Sequence, residues 1–598
     1  MSSLDLGIIG NGTYGALLDR QAKIVWCCLP RFDGDPVFYD LLNGGDHPNG
    51  NGDQGYWSIE LVDQTQVTQR YRPNTAILET VLSDDNGNAV QITDFAPRFQ
   101  RQGRMFRPTT IVRRVKVVSG TPRIVIRVRP GFNYAARTPT ITHGSNHIRY
   151  LHSSMALRLT TNAPVTYVLD ETPFILAEPI SMMLGPDEPF ASAIEDTARD
   201  FEEKTETYWR HWVRRLALPY EWQDAVIRAS ITLKLCAFEE TGAIIAAMTT
   251  SVPEAPDTGR NWDYRYCWLR DAFFVVRALN SLSEVETMEN YLRYLNNIVL
   301  TADGGHLQPV FGIGLEEHLI EREVATLSGY RGMGPVRAGN QAYEHFQHDV
   351  YGNVILAASQ SFMDQRLLRP CSRSDFEQFE KVGERAFQMH DQPDAGMWEF
   401  RTRARVHTAS SLMCWAACDR LAKIAKYLGL TDRAAFWHGR ADQVKETILE
   451  QAWDEEEQSF VDAFGGGTID ASLLLMTEVN FIEPSDPRFK KTLEAVERTL
   501  VSGHHVYRYK TEDDFGFPKT AFNICTFWYI DALSRVGRVE EARETFENML
   551  ACRNSLGLLS EDTDPRTMEA WGNYPQTYSL VGIINAATRL SRRWETEV

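Results

Sequence analysis

The 598-residue sequence has no run of about 18 apolar residues, which excludes a membrane-spanning helix of ordinary length. No basic, apolar leader opens it: MSSLDLGIIGNGTYG lacks the charged start and long hydrophobic stretch of a secretory signal. It has no Lys/Arg run, and 80 acidic against 62 basic residues leave a formal charge of −18, which argues against a nucleic-acid partner. Its nine cysteines are odd in number and include no CxxC pair, so neither a disulfide framework nor a zinc or thiol–redox site is expected. Reduced, buried thiols and a cytoplasmic location follow from these absences. What is abundant is core material: 43% of residues are hydrophobic and 24% charged, the balance of a large globular chain.

Two halves differ in period. Before residue 193 the text breaks into short alternating segments such as KIVWCCL, AVQITDFAP, TTIVRRVKVV and PRIVIRVRP. They are rich in β-branched and aromatic residues and punctuated by Gly, Pro, Asn and Asp. At least ten strands without helices between them predict an antiparallel β-sandwich over residues 1–192. SAIEDTARDFEEKTETYWRHWVRRL then reads as an amphipathic helix, a linker over 193–219.

From 220 to 598 the period is helical. Twelve helices are expected near 221–240, 271–282, 284–302, 340–363, 373–390, 406–428, 431–453, 470–480, 487–501, 521–536, 538–553 and 573–593. Tight links at Gly429 and Gly537 alternate with long links such as 303–339 and 554–572. Six helical hairpins closed into a ring give an (α/α)6 barrel, with the long links gathered at one end where a site would sit. A helical solenoid is the alternative, but no repeat motif supports it.

Two motifs are set aside. Gly10-Asn11-Gly12-Thr13-Tyr14-Gly15 has the GxGxxG spacing, but strand-like text follows it where a dinucleotide site needs a helix. His345 and His348 share the spacing of one helix face without a third ligand nearby, so no metal and no cofactor is expected.

The long links are dense in aromatics and charge. NWDYRYCWLRDA places Tyr264, Trp268, Arg270 and Asp271 just before a helix. Rings that stack on pyranose faces and charges that take hydroxyl pairs are what a sugar site needs. A buried aromatic patch with an Arg–Asp pair is the plain alternative. Tyr330 and Arg337 lie in a second link, Glu399 beside Trp398 in a third, Arg508 in a fourth and Glu561 in a fifth. Taken singly, each acid reads as an ordinary solvated turn residue. Glycoside hydrolysis needs one carboxyl that stays protonated and one that is ionised. An adjacent indole suits Glu399 to the first role by desolvation, and a polar loop suits Glu561 to the second.

These blocks together resemble glycoside hydrolase family 15, the glucoamylase and trehalase-like family, in its bacterial form. The resemblance covers nearly the whole chain, from LGIIGNGTYGALLDRQAKIVWCCLPRFDGDPVF through NWDYRYCWLRDA, GYRGMGPVRAGNQAYEHFQHDVYG and DAGMWEFRTR to LLSEDTDP. It implies release of glucose from α-linked ends with inversion, Glu399 as general acid and Glu561 as general base. Arg270 and Asp271 match residues that grip sugar hydroxyls; Tyr264, Trp268, Trp398 and Arg508 match further pocket positions, and Tyr330 and Arg337 more loosely. Phe400 stands where fungal members carry a second acid, and no starch-binding module follows the twelfth helix. Short α-linked oligosaccharides come first as substrates, then trehalose, then isomaltose. A sugar phosphorylase would need the acid but replace the base by phosphate, and Glu561 argues against it. A sugar-binding protein without catalysis would need no carboxyl pair. Oligomeric state is not legible; a homodimer is compatible with the sequence.

Overall fold

The computed structural model describes residues 3–43, 54–302 and 305–597. The strand-rich part forms two antiparallel sheets. One runs in the order Gly7–Gly10, Gly15–Leu18, Ile24–Leu29, Tyr56–Leu61, Arg123–Arg129 and Phe174–Ile175, with Asp35–Phe38 paired to Ile24–Leu29. The other runs Thr140–His143, His147–Leu151, Ala156–Thr161, Ile180–Pro186, Ile111–Ser119, Ala89–Phe95, Leu78–Ser83 and Gln66–Tyr71.

Strand alternation decides what each face meets. Ile9, Ala16, Leu18 and Cys27 of the first sheet pack against Leu82, Ile92, Val115 and Leu159 of the second, the interior of a sandwich. Their neighbours Ile8, Leu17, Trp26 and Cys28 face the other way and enter the core of the helical part. Trp26 locks this junction by donating its indole N–H to the Met248 carbonyl at 2.8 Å. The GxGxxG segment is the turn of the first hairpin, Gly10 paired with Gly15, as its strand-like surroundings predicted.

Helix α1 (Val165–Leu169) is a single excursion within the sheets; α2 (Ile194–Val213) lies against the second sheet, where Ala198 and Phe201 cover Ile77, Phe95 and Met183. The chain then winds through α3 (Gln223–Leu235), α4 (Leu269–Ser281), α5 (Glu286–Thr301), α6 (Asp349–Met363), α7 (Arg373–Met389), α8 (Thr408–Tyr427) and α9 (Thr431–Gln451). It continues through α10 (Leu475–Glu478), α11 (Pro487–Leu500), α12 (Asn523–Arg535), α13 (Val539–Ala551), α14 (Thr577–Leu590) and α15 (Trp594–Glu597). Contacts run α4–α6–α8, pass through the 3-10 turn Ala471–Leu474 to α10 and α12, and go on from α12 to α14 and back to α4. Helices α3, α5, α7, α9, α11 and α13 pack outside that ring, so the architecture is an (α/α)6 barrel.

Sequence sets the ends of these helices. Ser372 and Asp375 form a capping box on α7, and Asp486 caps α11 ahead of Pro487. Gly429 and Gly537 take positive φ after α8 and α12, which lets the chain reverse in a few residues. Two expected helices are shorter. The 340–363 helix begins only at Asp349, because Asn340 caps a separate 3-10 turn, Gln341–Glu344. The 470–480 helix opens as a 3-10 turn held by Asp470, whose Oδ1 accepts from Ser472 N at 2.8 Å. The N-terminal ends of three inner helices meet at one recess, lined by Arg270 and Asp271 of α4, Phe522 before α12, and Gln576 and Tyr578 at the start of α14.

Candidate active site

That recess, open to solvent, spans about 890 Å³ and is lined by Tyr264, Trp268, Arg270, Asp271, Trp398, Glu399, Arg508 and Glu561, together with residues not expected from the sequence. Eight of the ten residues singled out above therefore share one cavity. Tyr330 and Arg337 do not line it. Tyr330 is fully buried, edge-on to Trp571 with ring centroids 6.0 Å apart, so it is a packing residue. Arg337 stands behind the wall: its guanidinium is 5.1 Å from the Trp262 ring and pairs with Glu321 at 3.3 Å. Their Gly-rich link supplies the layer behind Trp262.

Glu399 occupies a turn with φ 62°, a left-handed conformation that a side chain adopts at some cost. Its Oε1 accepts from Trp268 Nε1 at 2.6 Å and Gln347 Nε2 at 3.3 Å, with Arg270 Nη2 at 3.7 Å. Its Oε2 takes no hydrogen bond from the described residues. The sequence neighbour Trp398 points elsewhere, donating to Asp470 Oδ2 at 2.8 Å and packing beside Trp528 and Phe522. The indole that touches Glu399 is thus Trp268, and it touches by its N–H.

Glu561 precedes a small sheet, Ala521–Phe522, Asp562–Thr563 and Ala570–Trp571. Both its main-chain groups are fixed, the N–H to Asn573 O at 3.2 Å and the carbonyl by Asn523 N at 3.0 Å. Both carboxyl oxygens accept: Oε1 from the Tyr264 hydroxyl at 2.8 Å and Oε2 from Asn573 N at 3.3 Å. Gly572 makes this fit, since a Cβ there would lie 2.5 Å from Glu561 Cβ and 2.7 Å from Oε2.

The environments of the two acids are the reverse of those expected. Glu561 is 1% exposed, whereas the Glu399 side chain is 24% exposed. Burial, with the negative charge of Glu254 added, pushes the Glu561 carboxyl up to about 8. A loop in sequence became an interior strand end in space, which the local polar text did not disclose.

Around the acids, Arg270 spans 3.5 Å to Asp271 and 3.3 Å to Asp349. Burial holds the Asp271 carboxyl up at about 6, and its Oδ2 makes no hydrogen bond among the described residues. Arg508 is held by Glu254 Oε2 at 2.5 Å, and the same carboxylate takes the Trp262 indole N–H at 3.0 Å. Arg260 grips Asp513 through two nitrogens at 2.8 and 2.5 Å. Arg401 donates its N–H to Asp514 at 2.6 Å and lays its guanidinium 4.4 Å from the Trp262 ring. Glu254, Arg260 and the Asp513–Phe515 turn were missed by sequence reasoning. SVPEAPDTGRNWD, another charged link before an inner helix, held the signal for the first two.

His345 lines the recess and His348 is buried behind it; among the described residues no group of three His, Cys, Asp or Glu side chains is arranged to hold a metal ion. No helix among the described residues is long and apolar enough to cross a membrane.

Comparison with known proteins gives two profile matches. Residues 221–588 match the profile described as glycosyl hydrolases family 15, and residues 4–172 one described as trehalase-like, N-terminal. A trehalase of Thermoplasma volcanium is 31% identical over 593 residues, covering 98% of this chain and 93% of its own. A trehalase of Mycolicibacterium smegmatis is 30% identical over 625 residues, covering 99% and 91%. Among solved structures, a glucoamylase from Saccharomycopsis fibuligera superimposes with a TM-score of 0.45 at 13% identity, over 66% of this chain and 95% of that one.

Proposed function

The chain belongs to glycosyl hydrolases family 15 and is an O-glycosyl hydrolase, and from that premise we propose that it cleaves α,α-trehalose with inversion, using Glu399 as proton donor and Glu561 as base. The relatives matching more than nine-tenths of both chains are trehalases, which favours the disaccharide over the short maltooligosaccharides that come first on sequence grounds.

The observation that carries the division of roles is the hydrogen bonding of the two carboxyls. Glu399 has one oxygen taken by N–H donors and one free, so a proton on Oε2 is available to the glycosidic oxygen. Glu561 accepts at both oxygens, an arrangement satisfied by the ionised form. One glucose enters among Arg270, Asp271, Trp268 and Tyr578, where Asp271 Oδ2 takes a sugar hydroxyl. The leaving glucose lies toward Trp262, Arg401 and Phe515. Glu399 protonates the bridging oxygen while Glu561 takes a proton from the water that attacks C1 from the opposite face. The C1–O bond breaks as the water oxygen bonds to C1, and the second glucose departs with the bridging oxygen, now a hydroxyl that carries the proton from Glu399.

The test is glucose release from trehalose, maltose, isomaltose and soluble starch, followed on trehalose by proton NMR before mutarotation. Inversion releases one β- and one α-glucose from each trehalose. Release of α-glucose alone would exclude inversion, and faster turnover of maltose than trehalose would return the maltooligosaccharide reading.

A further inference from the structure

The segment that carries Trp262, Tyr264 and Trp268 runs extended into α4. Ser251 N donates to the Trp262 carbonyl at 2.8 Å, and Ala247 N and Ala246 N to those of Tyr264 and Tyr266 at 3.0 Å. Successive side chains therefore leave it on opposite sides. Tyr264, Tyr266 and Trp268 gather in one cluster, and Trp262, Tyr264 and Trp268 line the recess. Asp263 and Arg265 leave on the other side, and both are fully buried.

What Arg265 meets there is the sandwich. Its Nε and Nη2 grip Asp263 at 2.8 and 2.7 Å. Its Nη1 reaches the Gly34 carbonyl at 3.0 Å and Cys28 Sγ at 3.4 Å, and its Nη2 also donates to the Tyr134 hydroxyl at 2.7 Å. A fully buried ion pair gains little over apolar packing of the same volume, because desolvation offsets its attraction. What this pair does supply is direction, since each guanidinium nitrogen is committed to a named acceptor.

Tyr134 is presented by a strained link between the strands Arg123–Arg129 and Thr140–His143. Asn133, Tyr134 and Ala135 are successive non-glycine residues with φ of 49°, 51° and 68°, a left-handed backbone that L side chains resist. The Asp35 carboxylate holds the N–H groups of Asn133 and Tyr134, the latter at 2.9 Å, and the Thr326 hydroxyl donates to the Tyr134 carbonyl. The link thus aims a phenol of the sandwich at the guanidinium behind the recess wall.

The contacts end on Glu561. Tyr264 donates to its Oε1 at 2.8 Å. The Trp262 carbonyl accepts from Asn573 Nδ2 at 2.9 Å, and Asn573 N donates to Glu561 Oε2 at 3.3 Å. Both carboxyl oxygens are therefore reached from the two residues that flank Asp263. We propose that Tyr134 of the sandwich is a positioning residue for hydrolysis: through Arg265 and Asp263 it holds Trp262 and Tyr264 where they fix both oxygens of Glu561. The sandwich is then part of the frame of the active site, a role that rests on Glu561 being the base.

Tyr134→Phe in the full chain removes one oxygen and leaves Arg265 its bonds to Asp263 and Gly34. On whichever of trehalose, maltose and isomaltose is hydrolysed fastest, kcat should fall about fivefold or more with KM within about twofold. The limb of the pH profile controlled by Glu561 should move upward. Glu561 faces Tyr264, Glu254, Arg508 and Asp562, and the substitution alters none of them. Tyr14→Phe is the control: its hydroxyl donates to the Thr110 carbonyl at 2.6 Å inside the sandwich, so its loss should lower Tm without moving kcat or the pH profile. Added to Tyr264→Phe, Tyr134→Phe should cost less than it does alone, because one of its two routes to Glu561 is already gone. Wild-type kinetics in Tyr134→Phe, an equal kinetic loss in Tyr14→Phe, or losses that multiply in the double variant overturn the proposal. Glu561→Gln, measured alongside, separates it from the assignment of the base. If that variant is inactive and Tyr134→Phe behaves as wild type, only the positioning role falls; if Glu561→Gln turns over normally, both fall.

Discussion

Tyr264 and Trp268 pack edge to face with ring centroids 5.2 Å apart, and each gives its one polar hydrogen to a different carboxyl, Tyr264 to Glu561 and Trp268 to Glu399. One short segment before α4 therefore sets the relative position of both acids. A shift of either ring moves its carboxyl with it.

Tyr264→Phe tests this directly. Losing the hydroxyl removes a hydrogen bond that favours ionised Glu561. The limb of kcat/KM controlled by Glu561 should move to higher pH, and kcat should fall about 10-fold or more. Trp268→Phe should lower kcat without that shift. Identical pH profiles in wild type and Tyr264→Phe would refute the coupling.

Glu399→Gln and Glu561→Gln should each lower kcat on trehalose by about 10³-fold or more, since each removes a proton-transfer group, while far-UV circular dichroism is unchanged. Wild-type rates in either variant would remove that residue from the mechanism.

The acid limb has a second handle in Glu254, whose charge helps raise Glu561 to about 8. As a base, Glu561 must be ionised, so this limb of kcat/KM rises with pH toward that value. Glu254→Gln should lower the midpoint, both by removing the repulsion and by releasing Arg508 toward Glu561. A midpoint that stays in place would show that Glu254 does not act on the base.

Stability should run opposite to activity. A Glu561 carboxyl that titrates near 8 when folded, against 4.5 ordinarily, keeps in the native state a proton that the unfolded chain has released. Its linkage therefore favours the folded state below 4.5, and that advantage is lost as pH rises toward 8. Glu561→Gln abolishes this loss, so the variant should gain about 1 kcal/mol or more relative to wild type between pH 5 and pH 8. Denaturant unfolding at both pH values measures it, and an equal difference at the two would contradict the burial argument.

Gly572→Ala should cut kcat about 10-fold or more. The new methyl would overlap Glu561 Cβ at 2.5 Å, and φ of +76° strains any side chain there. Unchanged kinetics would mean that Glu561 tolerates displacement.

Much of this molecule is legible in one dimension. Period-2 text becomes two sheets, and the alternation of Ile8 with Ile9 already says that both faces of the first sheet are covered. Period-3.6 text becomes the helices, and Gly429 and Gly537 mark the short turns, because helix ends depend on local backbone and side-chain chemistry. The family blocks point to Glu399, Glu561, Arg270 and Asp271, which share the recess with four of the six other residues expected there.

What the sequence cannot carry is burial and direction. Glu561 stands in polar text yet is 1% exposed, because the strands at Ala521–Phe522 and Ala570–Trp571 enclose it from distant positions. Trp398 adjoins Glu399 in sequence but turns to Asp470, while Trp268, 131 positions away, supplies the contact. Tyr330 and Glu254 exchange expectations in the same way, one packed out of the recess and the other brought into it. Periodicity and caps act over a few residues, so the sequence by itself determined the elements and the chemistry available. Proton affinity and hydrogen-bond geometry depend on what closes around a group from elsewhere in the chain, and only the tertiary structure decided those.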